Sequence, residues 1–556
     1  MNTTPVGLSQ LLFGVFRDFW NLKALTDLDG VSYTYAGTAE NIAKMHILFE
    51  AAGVKPGDKI ALCGKNSADW MLVLIASLTY RSVIVPILHE FNEESVTNLV
   101  NHSDAKLLFA DKAIIDKLDP SRLNDLIGAF YITERGMAFS RSEKLTETRE
   151  KLDDIFRQKY PDGFTFNDVN NNENLEPEEI VMINYTSGST GTPKGVMLPA
   201  RSIFSNLIYC LQHLTFLNPG DGMVNMLPLG HMYGMVIESL HPFVKGVNSN
   251  FISKVPSPKV LLAAFAKVRP KLIITVPLVL EKIIRSQVIP KLKKPFIRFL
   301  LTIPGVKNII FNNIRHKLIN IFGGQLVEVI IGGAPLNPEV EKFLYRIKFP
   351  VTVGYGMTEC GPLLAYCPSS SSRPQTVGRI VDRMEVKIDS PDPKKIPGEI
   401  WVRGDNVMTG YYKNPEATKE VFAPGDGWMN TGDMGTIASD GMISISGRSK
   451  TMILGPSGQN IYPEDIEQQI NSLPYVEESL VVDLKGKLIA LIFPNYEEAK
   501  KAGLEGETLK KFFETQISML NKRLESFSRI AEVRLMEKEF EKTPKRSIKR
   551  FLYKLE

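Results

Sequence analysis

Helical and strand patterns alternate in this chain from about Tyr33 onward, and this alternation constrains the fold more than any other feature. Apolar spacing predicts helices at Thr38–Ala52 and Asp69–Tyr80. Strand-like apolar runs follow them, at Lys59–Cys63 and Ser82–Pro86. Helices that alternate with strands are typical of mostly parallel sheets. The sequence therefore predicts an α/β fold.

Neither the most apolar stretch of the chain nor its N-terminal segment suggests a membrane segment. The most apolar stretch, residues 71–88, contains several polar residues and a proline, so it is better explained as a buried helix followed by a strand. At the N-terminus no basic segment precedes the apolar residues of Leu8–Phe19, and a signal peptide is not expected. We therefore expect no transmembrane segment.

The character of the chain changes after about Gly361. Short strand candidates, such as Glu385–Ile388 and Glu399–Val402, are separated there by Pro, Gly and Asp turns. This pattern predicts a β-rich subdomain at about 362–447. Earlier in the chain, the polar and Asn-rich residues of Thr133–Asn174 predict a surface excursion.

An α+β pattern returns after Arg448. It predicts a helix at about Pro463–Asn471 and a long amphipathic helix near Thr508–Leu524, with two strands between them. A chain of 556 residues is too long for a single core. The sequence therefore predicts a large domain of residues 1–449 and a C-terminal domain of residues 450–556.

Charge, cysteines and histidines exclude several functions. A net charge of +4 on this length gives no support for nucleic-acid binding as the main activity. The four cysteines contain no Cys-x-x-Cys, and the seven histidines form no ligand cluster. We therefore expect a reducing cytoplasmic setting, no structural zinc and no nucleic-acid partner.

Residues Tyr185–Gly195 are the clearest chemical signal. They read Tyr-Thr-Ser-Gly-Ser-Thr-Gly-Thr-Pro-Lys-Gly, in which glycines allow close approach, hydroxyls offer hydrogen bonds and a lysine supplies charge. The loop differs from the P-loop of kinases because Pro193 and Gly195 flank Lys194. A flexible linker is the alternative, but linkers rarely follow a buried strand such as Glu179–Asn184. The predicted triphosphate contacts are Thr186, Ser187, Gly188, Ser189, Thr190, Gly191, Thr192 and Lys194.

Four further segments carry candidate ligand groups at strand ends or turns. Residues Gly354–Glu359 place Tyr355, which could stack on a base, and Glu359, a candidate Mg²⁺ ligand, after a strand. Gly332–Pro335 is a second strand-end turn. In the remaining two segments, Asp433 offers a carboxylate to ribose hydroxyls and Arg448 a forked donor.

In this order and spacing, these motifs closely resemble the adenylate-forming, AMP-binding superfamily, which includes acyl-CoA synthetases, firefly luciferase and adenylation domains. The resemblance runs from about Tyr33 to the C-terminus. Within it, Gly332–Leu336 and Gly455–Pro463 look most like bacterial long-chain fatty acid–CoA ligases. It implies a large N-terminal domain of two α/β layers plus a β-barrel-like subdomain, and a small mobile α+β C-terminal domain.

The resemblance also implies a reaction. A medium- to long-chain fatty acid would react with ATP and Mg²⁺ to form an acyl adenylate, and coenzyme A would then take the acyl group and release AMP. By the same resemblance, His231 would lie beside the acyl and α-phosphate groups and Lys450 would be the hinge. The implied nucleotide and metal contacts are Thr186 and Lys194 for phosphates, Thr186 and Glu359 for Mg²⁺, Gly332, Gly333, Ala334, Tyr355, Gly356, Met357 and Thr358 around the base, and Asp433 with Arg448 for ribose.

The match fails near the C-terminus. Family members usually have a catalytic lysine after Thr-x-x-Gly, but here Arg546 stands at the glycine and Ser547 at the lysine. A serine cannot replace an ammonium group in screening two anions. Either Lys545 or Lys549 takes this role after a local shift, or adenylation is slow.

Residues Lys291–Lys317 contain seven Lys/Arg and no Asp or Glu, interleaved with Phe, Ile and Leu. A basic amphipathic segment can lie on the inner face of an anionic membrane, which predicts a peripheral contact. A solvated helical face is an equal alternative.

Two other functions stay open. The acyl group could be transferred to the phosphopantetheine of an acyl carrier protein instead of coenzyme A. The substitution at Ser547 is also compatible with a weakly active or non-catalytic protein that binds a nucleotide or an acyl group.

Overall fold

The computed structural model describes residues 7–133, 136–169, 175–187, 193–253, 257–287, 303, 306–454, 460–543 and 548–553. Several predicted site residues lie outside these ranges: Gly188, Ser189, Thr190, Gly191, Thr192, Lys545 and Ser547.

Residues 7–199 build a largely parallel sheet with helices on both faces. Strands β3, β4, β5, β6 and β8 are parallel, while β7 and β9 pair antiparallel at the two ends, in the order β9-β8-β4-β3-β5-β6-β7. The strands are β1 Lys23–Asp27, β2 Ser32–Thr34, β3 Lys59–Cys63, β4 Val83–Ile87, β5 Ala105–Ala110, β6 Gly128–Tyr131, β7 Met137–Ser140, β8 Ile180–Ser187 and β9 Pro193–Pro199. The helices are α1 Leu8–Phe19, α2 Tyr35–Ala51, α3 Ala68–Thr79, α4 Glu93–His102, α5 Lys112–Ile115, α6 Glu143–Glu150 and α7 Leu152–Lys159.

Both faces of this sheet are buried, as expected for parallel strands between helices. In β3, Ile60 and Leu62 belong to one apolar core, whereas Ala61 and Cys63 belong to another on the opposite face. Helix α3 begins where the Ser67 side chain accepts a hydrogen bond from the Trp70 amide, and all but its last residue are buried. The apolar stretch at residues 71–88 is thus a buried helix and strand, as predicted.

Helix α2 carries a half-buried histidine that makes stability depend on pH. His46 Nε2 lies 3.1 Å from the Ala76 carbonyl oxygen, and burial lowers the pKa of the imidazole from 6.5 to about 4. The folded protein therefore keeps His46 neutral, while the unfolded chain takes up a proton below pH 6.5. Lowering the pH from 7 to 5 should cost about 2 kcal/mol through this group.

We expect the thermal unfolding midpoint to be lower at pH 5 than at pH 7. The decrease should be smaller in His46→Gln. Thermal unfolding followed by circular dichroism at the two pH values measures this difference. An equal drop in both proteins would contradict the assignment to His46.

Residues 200–361 add two smaller sheets. Strands β10, β11 and β1 are parallel and β2 closes their edge, while β12, β13 and β14 form a parallel sheet. The strands are β10 Gly222–Asn225, β11 Asn248–Phe251, β12 Leu272–Thr275, β13 Glu328–Ile331, β14 Val351–Val353 and β15 Tyr355–Gly356. The helices are α8 Ala200–His213, the π-helix Tyr233–Leu240, α9 His241–Lys245, α10 Pro258–Val268, α11 Pro277–Gln287, α12 Val306–Ile321 and α13 Pro338–Arg346.

Residues 362–553 form short antiparallel sheets and a final α+β unit. β18, β19, β21 and β22 make an antiparallel sheet, β20 joins the large sheet beside β9, and β25–β27 form the last sheet. The strands are β16 Leu363–Tyr366, β17 Arg379–Ile380, β18 Met384–Asp389, β19 Gly398–Gly404, β20 Gly410–Tyr411, β21 Met429–Ile437, β22 Ile443–Arg448, β23 Ile453–Leu454, β24 Asn460–Ile461, β25 Val476–Leu484, β26 Lys487–Pro494 and β27 Ile530–Leu535. The helices are α14 Pro415–Val421, α15 Pro463–Ile470, α16 Tyr496–Lys501 and α17 Gly506–Asn521.

The predicted elements are largely confirmed, with one difference. The α/β fold, the β-rich character of about 362–447 and the two C-terminal helices are present. The segment Thr133–Asn174 is more structured than a surface excursion, because β7 extends the large sheet and α6 and α7 pack on α2. Buried Leu145 and Phe156 supply the apolar contacts that its polar composition conceals. Among the described residues, no helix is long and apolar enough to cross a membrane.

Candidate active site

A cavity of about 890 Å³ lies at the carboxyl ends of β13 and β14. Ligands of α/β proteins bind at this edge of a sheet. The cavity brings together predicted residues from three distant segments: His231, Gly332, Gly333, Tyr355, Gly356, Met357 and Thr358. Ala334 is exposed beside them and is not among the lining residues.

Most of the remaining cavity wall is apolar. Leu214, Met226, Ile237, Leu261, Val279 and Ile283 contribute to it, from helices and strands on several sides. Its volume lies within the range typical of small-molecule sites. A cavity lined by both polar and apolar residues fits a ligand that has polar and apolar parts.

His231 sits at the turn that precedes the π-helix Tyr233–Leu240. The His231 amide donates to the Pro228 carbonyl at 3.0 Å, and Asn184 Nδ2 donates to the Gly230 carbonyl at 3.0 Å. Gly234 is required here, because an added Cβ would lie 2.6 Å from the Pro228 oxygen. These contacts fix the loop that carries the imidazole.

A buried carboxylate, which sequence reasoning missed, holds the π-helix in place. Glu238 accepts hydrogen bonds from the Met226 and Leu227 amides at 3.0 and 2.9 Å. Burial raises the pKa of Glu238 well above its ordinary value, although the two amides oppose the shift. π-Helices are frequent at functional sites, but their single extra residue leaves no clear sequence pattern.

The predicted triphosphate loop connects β8 and β9, which are antiparallel neighbours. Their register places Thr186 opposite Lys194 and Ser187 opposite Pro193, on either side of the loop. An added Cβ on Gly195 would lie 2.9 Å from Ile183, so this glycine permits close packing of the two strands. The hydroxyl of Thr186 and the ammonium group of Lys194 thus belong to one end of the hairpin.

Tyr411, another residue that sequence reasoning missed, connects Lys194 with Glu359. Its hydroxyl donates to Glu359 Oε1 at 2.9 Å, and Lys194 Nζ lies 5.0 Å from the centre of its ring. Tyr411 reaches this position because β20 pairs with β9, opposite Val196. Burial and the Glu359 charge raise the pKa of the Tyr411 phenol, which stays protonated.

Glu359 is suited to a divalent cation. The Tyr411 hydroxyl bonds to one of its two oxygens and leaves other acceptor positions of the carboxylate open to a metal ion. Mg²⁺ is commonly held by one or two protein oxygens together with substrate phosphates. Glu359 with Thr186 fits this pattern. No cluster of three His, Cys, Asp or Glu occurs in the part of the chain that the structure describes.

We expect Tyr411→Phe to raise the KM for Mg-ATP about 10-fold, because a hydrogen bond to a charged group contributes roughly 1.5–3 kcal/mol. Phe keeps the ring beside Lys194 and removes only the hydroxyl. Initial rates of pyrophosphate release at varied ATP would measure the change. An unchanged KM would show that Tyr411 does not orient Glu359.

Asp433, Arg448 and Tyr355 form a hydrogen-bonded group beside the cavity. Tyr355 Oη donates to Asp433 Oδ2 at 2.6 Å, and Arg448 Nε lies 2.8 Å from Asp433 Oδ1. Asp433 and Arg448 are opposite each other on β21 and β22. Burial raises the pKa of Asp433, while Arg448 and the Tyr355 hydrogen bond lower it and leave a smaller net increase. A carboxylate has about four acceptor positions, so Asp433 can still accept from a ligand.

Of the predicted hinge and C-terminal lysines, Lys450 and Lys549 are described, and neither lines the cavity. Lys450 Nζ lies 2.9 Å from Glu420 Oε1 in an exposed pair. Lys549 Nζ lies 3.5 Å from Glu541 Oε2. The cavity therefore brings together His231 and the predicted base-binding residues, whereas these two lysines form ion pairs elsewhere. Its lining also does not include Thr186, Lys194, Glu359, Asp433 and Arg448.

The fold and the cavity define an α/β ligand-binding protein whose site opens at strand ends. The sequence pattern of the AMP-binding enzyme family matches residues 17–412, and that of the AMP-binding enzyme C-terminal domain matches residues 450–553. The chain therefore belongs to the AMP-binding enzyme family, and the predicted resemblance is confirmed.

Curated relatives share moderate identity over most of the chain. The long-chain-fatty-acid–CoA ligase FadD15 of Mycobacterium bovis is 28% identical over 498 residues, covering 84% of this chain and 78% of its own. Long chain acyl-CoA synthetase 1 of Arabidopsis thaliana is 27% identical and covers 84% of this chain and 74% of its own.

Solved structures show the same fold at lower identity. ATP-bound MatB from Rhodopseudomonas palustris has a TM-score of 0.76 at 21% identity, with 98% of each chain covered. O-succinylbenzoate CoA synthetase of Bacillus subtilis, in complex with ATP and magnesium, has a TM-score of 0.72 at 18% identity and the same coverage.

Proposed function

We propose that this enzyme activates a medium- to long-chain fatty acid with ATP and transfers the acyl group to coenzyme A, as an AMP-forming acid–thiol ligase. One observation carries the proposal: Gly332, Gly333, residues 355–358 and His231 line the same cavity as a largely apolar wall. Relatives named as long-chain acyl-CoA synthetases support the substrate class.

In the first half-reaction a fatty carboxylate oxygen attacks the α-phosphorus of ATP. The bond to the β-phosphate oxygen breaks, and pyrophosphate leaves with the electron pair. Thr186 and Lys194 would hold the departing phosphates, Glu359 with Thr186 would hold Mg²⁺, and Asp433 with Arg448 would hold the ribose. Mg²⁺ supplies charge screening between the two anions. The protein contributes mainly alignment and electrostatic stabilisation.

Tyr355 would orient the base while its hydroxyl remains on Asp433. This bond connects the base-binding segment with the ribose-binding strand, so one ligand contact would position the other. His231, which lines the cavity, would lie beside the fatty carboxylate and the α-phosphate.

Pyrophosphate release across a panel of acids tests the proposal. The panel runs from acetate to oleate and includes aromatic acids, each with ATP and coenzyme A. We expect the highest kcat/KM with medium or long chains. Preference for acetate or an aromatic acid would contradict the substrate class, and no release with any acid would contradict the function.

A second candidate, motivated by the serine at position 547, is a protein that binds its nucleotide or acyl ligand with weak turnover or none. A separate alternative concerns the acceptor, which would be carrier-protein phosphopantetheine instead of coenzyme A. Coenzyme A and a holo-carrier protein offered in parallel separate the two acceptors. Acid-dependent pyrophosphate release excludes the non-catalytic alternative.

We also propose that residues 450–556 form a domain that changes position between the two half-reactions. Its helices and strands have an apolar core of their own, which includes Ile466, Phe513 and Val533. In the present arrangement, Gln468 Nε2 donates to the Leu336 carbonyl at 2.7 Å, beside the predicted base-binding turn. Lys450 lies at the boundary, which fits the role of a hinge.

We propose that the protein is cytoplasmic and contacts the membrane peripherally. Helix α12 presents Lys307, Arg315 and Lys317, and Ile309 is 63% exposed on it. Liposome co-sedimentation at low and high salt tests the contact with anionic lipid. Absence from the pellet at both salt concentrations would contradict it.

A further inference from the structure

A second group of titratable side chains lines the cavity and has no part in the mechanism above. Lys65 follows β3, and His89 and Glu90 follow β4; all three line the cavity. Asp111 follows β5, and its carboxylate accepts a hydrogen bond from the Lys65 amide at 2.8 Å. Because β3, β4 and β5 are parallel neighbours, these residues meet at one edge of the large sheet.

This group lies directly against the segment that carries His231. An added Cβ on Gly230 would lie 3.3 Å from the Leu88 Cα, so the two backbones touch next to His231 and His89. Asn66 strengthens the contact, because it donates to the Leu227 carbonyl at 2.7 Å and accepts from the Leu229 amide at 2.9 Å. The two histidines therefore occupy adjoining parts of one cavity.

His89 has the arrangement of an oriented base. Its Nδ1 lies 3.2 Å from Glu90 Oε2, and the two side chains are 30% and 32% exposed, so that solvent or a ligand can reach them. A carboxylate at Nδ1 favours the tautomer in which Nε2 is the proton acceptor. The charged groups that face His89 are Glu90 on its own strand end, Asp111 after β5 and Lys65 after β3.

We propose that His89 is the base for the second half-reaction, with Glu90 as its positioning residue; the inference rests on the proposed ligase function. Nε2 takes the proton of the coenzyme A thiol as the sulfur forms a bond to the acyl carbonyl carbon. The bond from that carbon to the phosphate oxygen breaks, and AMP leaves with the electron pair. Glu90 stabilises the imidazolium, which then returns its proton to water.

The thiol explains why a base is useful here. A free thiol has a pKa of about 8.5, so only a few per cent is thiolate at pH 7. A base that removes the proton during attack can therefore raise the rate by up to roughly 30-fold at this pH. At a pH above the pKa of the thiol, the thiol is already ionised, so the base no longer raises the rate.

The two half-reactions are measured separately in His89→Gln. We expect pyrophosphate release in the absence of coenzyme A to stay within about twofold of the natural protein. Thioester formation from preformed acyl adenylate should fall about 30-fold at pH 7 and recover above about pH 9. Glu90→Gln should show a smaller loss with the same pH dependence. His316→Gln, on helix α12 outside the cavity, is the matched control and should be normal.

If the loss of thioester formation does not recover at high pH, His89 is not the base and acts in binding alone. Normal thioester formation in His89→Gln would also overturn it, while the proposed ligase function would stand. Absence of acid-dependent pyrophosphate release in the natural protein would overturn both. Unchanged adenylation and an unchanged unfolding midpoint show that the variant is folded.

Discussion

Glu359→Gln is expected to lower acyl-adenylate formation about 1,000-fold while the fold persists. The amide keeps the size of the side chain and can still accept from the Tyr411 hydroxyl, but it loses the negative charge that would hold Mg²⁺. Removal of one preorganised group that stabilises developing charge typically costs about 10²–10³-fold in rate, and the lost charge here places the expectation at the upper end. Single-turnover formation of acyl adenylate, with ATP and the best acid of the panel, measures the effect.

Glu385→Gln is the matched control, because Glu385 pairs with Arg403 in an exposed position on β18. Its adenylation rate should equal that of the natural protein. If Glu359→Gln retains more than a tenth of the natural rate and requires no more Mg²⁺ than the natural protein, Glu359 is not the metal ligand. A higher Mg²⁺ requirement with an unchanged maximal rate would instead point to weakened metal binding alone.

The order of the elements could be predicted from the sequence because local patterns determine them. In α3 and β4, apolar runs and the Ser67 cap fix the two elements within a few residues of the prediction. The predicted triphosphate loop stands out in the sequence because its glycines, hydroxyls and lysine lie within eleven residues, at 185–195. Such local patterns are each contained within about a dozen residues.

The missing parts of the site depend on contacts between distant segments. Tyr411 reaches Glu359 only because β20 leaves the β-rich region and pairs with β9, more than 200 residues earlier in the chain. The role of Glu238 could not be predicted either, because its hydrogen-bond partners are backbone amides, which the side-chain sequence does not reveal. The contact between Tyr355 and Asp433 was also not foreseen, and it makes two separately predicted ligand groups one unit.

The cation expected to act on the α-phosphate is not identified by the family pattern in this chain, because Ser547 stands at the position of the family lysine. Arg550 is held by the buried Glu467 and lies 3.4 Å from Glu464. In the described part of the chain, Lys549 pairs with the exposed Glu541 at 3.5 Å, and a pair of this type contributes less than about 1 kcal/mol. Lys549 can therefore leave its partner at little cost, whereas Arg550 cannot.

Lys549→Ala is accordingly expected to lower acyl-adenylate formation about 100-fold, because one cation that screens two anions is lost. Thioester formation from preformed acyl adenylate should change little. Lys500→Ala, an exposed lysine on α16 near Glu505, is the matched control. Lys545→Ala is measured in parallel, and a loss there instead would give the role to Lys545.

Restoring the family lysine tests the same idea in the opposite direction. Ser547→Lys, combined with Lys549→Ala, should recover at least about 10-fold of the lost adenylation rate, since it returns an ammonium group to the aligned position. Normal adenylation in both Lys545→Ala and Lys549→Ala would show that neither lysine compensates. In that case a rise in adenylation with Ser547→Lys alone would show that the natural protein lacks this cation and is slow in its first half-reaction for that reason.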